Sequence, residues 1–175
     1  DLTNDFGIPT FAALSRRIDQ PLHEIIFGFG AHLDADIAMT RAILEMNQFL
    51  PAVDGSVHPG GDRIYAYQDK HAIEWWRTAT ITNQPYLLPK NNIRIHTRSD
   101  YLKYESDDQL VDLMNCVLKT ESMGMDFLFY DYSQPDIDLR VAKVIVPGAR
   151  HFWARFAPGR LYDVPLRLDW LNRMR

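Results

Sequence analysis

The segment from Glu24 to Pro51, EIIFGFGAHLDADIAMTRAILEMNQFLP, constrains the fold more than any other part of the chain. Glu24 to Phe27 is a short apolar run of the kind that forms a buried strand. Gly28-Phe29-Gly30 then reads as a turn. Asp34 is a good helix N-cap, Asp36 adds negative charge to the first turn, and a helical pattern runs from Ala35 to about Leu50, where Pro51 closes it. Met39, Ala42, Ile43, Met46 and Leu50 form its apolar stripe. A strand feeding directly into an amphipathic helix must bury that stripe against a sheet.

The remaining pattern extends this scheme. Pro9 to Leu14 reads as a second buried strand, and Ala52 to Asp69, rich in Gly, His, Asp and Pro, as a loop. Lys70 to Thr82 reads as a short helix ending in a strand, and Pro85 to Pro89 as an extended path, because each proline restricts the residue before it. Ser106 with Asp107 and Asp108 starts another helix, whose buried face is Leu110, Leu113, Met114, Val117 and Leu118. Gly124 ends it with a left-handed cap. Phe127 to Tyr130 and Val141 to Val146 are strands on either side of a turn over Asp131 to Asp138. The expected class is α+β, with helices packed on a mixed or largely antiparallel sheet. One internal echo stands out: Asp1-Leu2-Thr3 with Asp5-Phe6 following resembles Asp131-Tyr132-Ser133 with Asp136-Ile137 following, as two related half-units would.

Composition narrows the function classes. A chain of 175 residues, 46% hydrophobic and 24% charged, is expected to be one folded domain with its own core. Its formal net charge of -4, with Lys and Arg scattered, supplies no field for a nucleic-acid backbone. No stretch approaches the roughly 20 apolar residues of a membrane span, and no targeting segment opens the chain, so a cytoplasmic location is expected. Cys116 has no second cysteine to pair with and reads as a small core residue. The start at Asp1 without Met, close to a strand, suggests a fragment or processed piece.

Three places could carry chemistry. Arg41, Glu45 and Gln48, spaced by four and three, share one helix face apart from the apolar stripe. A carboxylate and a carboxamide one turn apart offer hard oxygen ligands to Mg²⁺, and a guanidinium one turn earlier can hold phosphate oxygens; a solvated face is the ordinary alternative. Gly28 to His32 lies between a strand and a helix N-terminus, where glycines let a backbone approach an anion, although an ordinary tight turn is the simpler explanation of them. His32 there is a base, a cap or a core histidine. Arg150, His151 and Arg160, interleaved with aromatics after the last strand, line a pocket or anchor a surface helix. His58, His71 and His96 lack metal-ligand spacing.

Three stretches, Gly28 to Pro51, Trp75 to Pro89 (WWRTATITNQPYLLP) and Val141 to Pro165 (VAKVIVPGARHFWARFAPGRLYDVP), together with the opening DLTNDFGIPTFAALSRR, resemble the C-terminal half of YcaO proteins from azole-forming peptide pathways. The resemblance implies a YcaO-like fold. It also implies an ATP-dependent cyclodehydratase of thiazole/oxazole-modified microcin or bacteriocin biosynthesis. Such an enzyme phosphorylates a backbone amide oxygen of a ribosomal precursor peptide, and a neighbouring Cys, Ser or Thr closes an azoline ring. The physical need is a leaving group, which phosphorylation makes of the amide oxygen.

The family's glutamate and glutamine fall on Glu45 and Gln48, implied to bind Mg²⁺ and ATP, with Arg41, His32 and Gly30 bordering the site. Ser133-Gln134-Pro135-Asp136 departs from the relatives' Thr-Arg-Pro-Asp. The other acidic ATP motif would lie upstream of Asp1 and the proline-rich tail beyond Arg175. Residues 1–175 are therefore expected to be the C-terminal part of a YcaO domain, inactive alone. Implied partners are the precursor peptide, a leader-binding partner protein or fused domain, and a flavin dehydrogenase in pathways that oxidise the rings. The competing readings are a non-catalytic scaffold or peptide-binding module and a related thioamide or amidine former.

Overall fold

The computed structural model describes residues 1–54, 64–88, 94–151 and 156–170. Two compact units emerge: Asp1–Thr3 with Ile8–Tyr104, and Asn4–Gly7 with Glu105–Arg175.

In the first unit, β1 (Thr10–Ser15) and β2 (Ile26–Ala31) pair antiparallel, from Thr10 opposite Ala31 to Ser15 opposite Ile26. Helix α1 (Ala35–Gln48) follows, capped by Asp34, whose side chain accepts from the Asp36 N–H. The Gly28-Phe29-Gly30 stretch is not a turn but the middle of β2. A Cβ on Gly28 would overlap the backbone of Ala42 and Met46, and one on Gly30 that of Ala38 and Ala42. The strand thus lies directly against the helix. For the same reason the buried stripe of α1 is Ala35, Ala38 and Ala42, while Met39, Ile43 and Leu50 are largely exposed. Backbones this close leave room for glycine and alanine and exclude the larger apolar residues of the expected stripe.

After α1 comes a short helix, α2 (Leu50–Val53), with Pro51 in its first turn rather than acting as a stop. Helix α3 (Lys70–Thr78) follows and is capped by Asp69. It gives way to a hydrogen-bonded turn at Thr80–Asn83, not to a strand. Pro85–Leu87 is a 3-10 turn rather than an extended path, because proline suits a first helical position as well as a strand edge. One core joins Ile26, Ala52, Val53, Tyr65 and Trp76; another joins Phe11 to the alanines of α1. Tyr65, within the segment read as loop, is therefore a core residue.

In the second unit, helix α4 (Gln109–Ser122) starts at Asp108, as its capping bond to the Leu110 N–H requires. Gly124 takes the left-handed conformation at φ +72°. Strands β3 (Leu128–Asp131) and β4 (Ala142–Ile145) pair antiparallel. Helix α5 (Arg160–Arg167) follows, and the Asp5 carboxylate binds both Arg160 and Arg167. The expected apolar face of α4 is exposed at Leu110, 63%, and at Leu118, 58%. Cys116 is half-buried on that helix, and burial raises its thiol pKa.

The sequence echo has a hydrogen-bond counterpart. Asp1 accepts from the Thr3 N–H and Asp131 from the Ser133 N–H. The N–H of Leu2 donates to the Thr10 carbonyl, and that of Tyr132 to the Val141 carbonyl. Thr3 Oγ1 accepts from the Thr10 N–H, and Ser133 Oγ from the Val141 N–H. Inside each loop, Gly7 N–H meets the Asn4 carbonyl and Ile137 N–H the Gln134 carbonyl. The same bonded loop leads into β1 and into β4.

Candidate functional site

Arg41, Glu45 and Gln48 all lie within α1 at the spacing that puts them on one flank, beside the alanine stripe rather than on it. Glu45 is half-buried; Arg41 and Gln48 are exposed. The close packing of α1 on β2 fixes the orientation of this flank. Arg41 is tied down by a bond from Nη1 to the Ala31 carbonyl at 3.3 Å, which anchors its guanidinium at the end of β2. What Glu45 and Gln48 provide is one carboxylate and one carboxamide. No group of three or more His, Cys, Asp or Glu suited to a metal occurs among the described residues. A Mg²⁺ ion fits this donor set only if most of its oxygens come from phosphates and water, which is how Mg²⁺ is ordinarily held.

His32 is not free to act at both nitrogens: its Nδ1 accepts from the Asp34 N–H at 3.0 Å, shaping the entry to α1. Gly30 is accounted for by helix–strand contact. Asp34 is nearly buried; its pKa is lowered chiefly by the Asp36 N–H.

The basic residues of the C-terminal run serve the second unit's own structure. Arg150 donates from Nη2 to the carbonyls of Ala157 and Pro158. Arg160 binds Asp5 and covers the Phe6 ring at 5.0 Å. Both line a cleft with Met123, Met125 and Asp163. His151 is exposed, while His58 and Phe152 to Arg155 lie outside the described residues. Gln134 donates from Nε2 to the Tyr132 carbonyl of its own loop at 3.3 Å.

The first unit also has two clefts that the sequence did not announce. One, of about 500 Å³, is lined by Ser15, Arg16, Arg17, Glu24, Leu50 and Asp54 among others. The second, of about 340 Å³, gathers Asp1, Phe11, Met39, His96, Arg98 and Tyr101. Arg41, Glu45 and Gln48 line neither. Glu24 was missed because a carboxylate at a strand start looks like a surface residue; its positive φ of 44° and burial emerge only on folding.

A heterocyclase solved in complex with substrate and cofactor shares 43% identity and superposes with a TM-score of 0.84, over 98% of this chain and 22% of its own. The heterocyclase TruD gives 42% identity and the same TM-score and coverage. An uncharacterized protein of Methanothermobacter thermautotrophicus is 26% identical over 155 residues, covering 87% of this chain and 38% of the relative. The chain thus spans well under half the length of these proteins. No helix among the described residues is long and apolar enough to cross a membrane. The family model for ATP- and Mg²⁺-binding YcaO cyclodehydratases matches residues 1–150, and with that match across most of its length the chain belongs to the YcaO family.

Proposed function

We propose that this chain is the C-terminal part of the YcaO domain of an ATP-dependent cyclodehydratase, in which Glu45 and Gln48 hold Mg²⁺ and nucleotide. The observation that carries the reading is the shared flank of α1: Glu45 is half-buried beside the alanine stripe, with Arg41 one turn before it and Gln48 one turn after. A half-buried carboxylate on a helix locked against its sheet is better suited to holding a cation than one on a free surface. Arg41, anchored through Nη1, keeps further donors for phosphate oxygens. The remaining nitrogen of His32, and the backbone near Gly30, border the same end of β2.

The reaction we assign to the whole protein is phosphorylation of a backbone amide oxygen of a ribosomal precursor peptide. A Cys, Ser or Thr side chain then attacks the amide carbon, phosphate departs with that oxygen, and an azoline ring is left. Bound Mg²⁺ supplies positive charge to the phosphoryl oxygens. The partners we assign are the precursor peptide and a leader-binding protein or fused domain, with a flavin dehydrogenase where rings become azoles. The compartment is the cytoplasm, and the pathway is of the thiazole/oxazole-modified microcin or bacteriocin type.

Calorimetric titration of the protein with ATP and Mg²⁺, repeated with Glu45→Ala, tests the site. We expect at least a tenfold loss of affinity. Unchanged affinity would favour the scaffold reading, in which the domain docks a peptide without chemistry.

A further inference from the structure

The cleft of about 340 Å³ on the first unit has an apolar floor, Phe11, Ala35 and Met39, and a rim whose arginines are already paired. Arg94 pairs with Asp100 and Arg98 with Asp36 at 2.7 Å, while His96 Nδ1 lies 3.1 Å from the Asp1 carboxylate. A rim whose cations are matched by carboxylates, over an apolar floor, favours an uncharged group with an apolar body. Met39 lies two positions before Arg41 and so about 200° away around α1, which puts this cleft on the opposite flank from the proposed nucleotide ligands.

Two donors converge on one oxygen at its edge. The Tyr101 hydroxyl donates to Asp1 Oδ2 at 2.7 Å, and His96 Nδ1 lies 3.1 Å from the same atom. An ionised carboxylate only accepts, so the His96 proton must sit on Nδ1. The neutral ring then presents Nε2 as a bare acceptor, with no hydrogen bond among the described residues. Phe11 packs edge-on against Tyr101 at 5.3 Å and holds the arrangement from behind.

We propose that this cleft binds an uncharged hydroxyl- or thiol-bearing side chain, with His96 Nε2 accepting the hydrogen bond from its O–H or S–H. Asp1 and Tyr101 are positioning residues that fix the tautomer. That the side chain is a peptide Ser, Thr or Cys rests on the function proposed above; the tautomer and the preference for a neutral donor do not.

The test is nitrogen-15 NMR of the histidine rings in the full chain with those rings neutral, with N-acetyl-cysteine methylamide, the serine analogue and the alanine analogue as probes. The expected result is an Nδ1–H tautomer for His96, an Nε2 resonance that moves with the cysteine and serine probes and not with alanine, and at least a fivefold weaker response in Asp1→Asn. An Nε2–H tautomer overturns the proposal, as does an equal response to alanine or none to any probe. ATP affinity in His96→Gln is read in parallel and should be unchanged. Probe binding together with no ATP affinity in the full-length protein would sink the nucleotide assignment and leave this site standing.

Discussion

Arg17 Nη1 lies 3.1 Å from Oε2 of Glu24, a side chain only 1% exposed and attached to backbone at φ +44°. The same guanidinium reaches Asp19 at 3.4 Å and Asp54 at 3.7 Å, so one cation serves three carboxylates. Burial raises the Glu24 pKa, with the nearby Tyr65 hydroxyl and the charge of Arg17 opposing that rise and Asp19 and Asp54 adding to it. The Tyr65 hydroxyl is buried beside Glu24 and makes no hydrogen bond of ordinary geometry among the described residues. Its pKa is pushed up to about 12, first by burial and then by Glu24.

The pH dependence of stability follows from that raised pKa. The folded state keeps the Glu24 proton to a higher pH than the unfolded chain, whose ordinary value is 4.5. The contribution is complete below that pH and disappears as pH rises through the folded pKa. Wild type should therefore lose stability relative to Glu24→Gln as pH rises from 4.5 through the folded pKa, as measured by urea unfolding of both. The lowered pKa values of Asp34 and Asp100 act below 3.8 in both proteins and cancel. A wild type that gains on the variant over this range would contradict the burial argument.

Gly28→Ala should be among the most damaging single-methyl changes in the chain. The added carbon meets backbone of α1 at Ala42 and Met46, which cannot rotate away as a side chain would. A loss of roughly 3 kcal/mol is expected, at the upper end of the overpacking range. Chemical denaturation measures it, and a change within about 0.5 kcal/mol, as at a surface site, would mean the helix and strand are not in direct contact.

Trp75 Nε1–H donates at 2.9 Å to the carbonyl of Ile25, a residue with no exposed surface. Trp75→Phe keeps an aromatic ring beside Phe27 and orphans that carbonyl, at a cost of about 1–3 kcal/mol. Comparison with Trp75→Leu separates the two effects: if the phenylalanine variant is as stable as wild type, the bond contributes nothing.

At the start of α3, Asp69 accepts from the N–H groups of His71 and Ala72. Asp69→Ala should lower stability by about 1 kcal/mol, and Asp69→Ser should recover most of it. Equal losses in both variants would assign the effect to charge instead of capping.

The elements closest to local rules were the ones legible in the chain. Asp34 as a cap, a helix start within Ser106 to Asp108, Gly124 as a left-handed terminator and the strand pair around Asp131 to Asp138 all follow from chemistry within a few residues. The segment after Ala79 was misread because proline and β-branched residues suit both a strand and a hydrogen-bonded turn. The face of α4 was misjudged for another reason: periodicity tells which residues lie together, and Leu110 and Leu118 do, but it does not say that anything covers them.

By itself the sequence determined that Arg41, Glu45 and Gln48 share one side of a helix, because a period of 3.6 residues is a property of the backbone alone. It also determined where that helix begins, since an aspartate caps its own neighbours. Only the tertiary structure decided which side faces the sheet. The glycines of β2 admit the helix so closely that alanines, not Met39 or Ile43, form the contact. Folding alone also brought Asp1, His96 and Tyr101 onto one carboxylate oxygen. Residues nearly a hundred positions apart meet there because packing, not spacing along the chain, sets their distance.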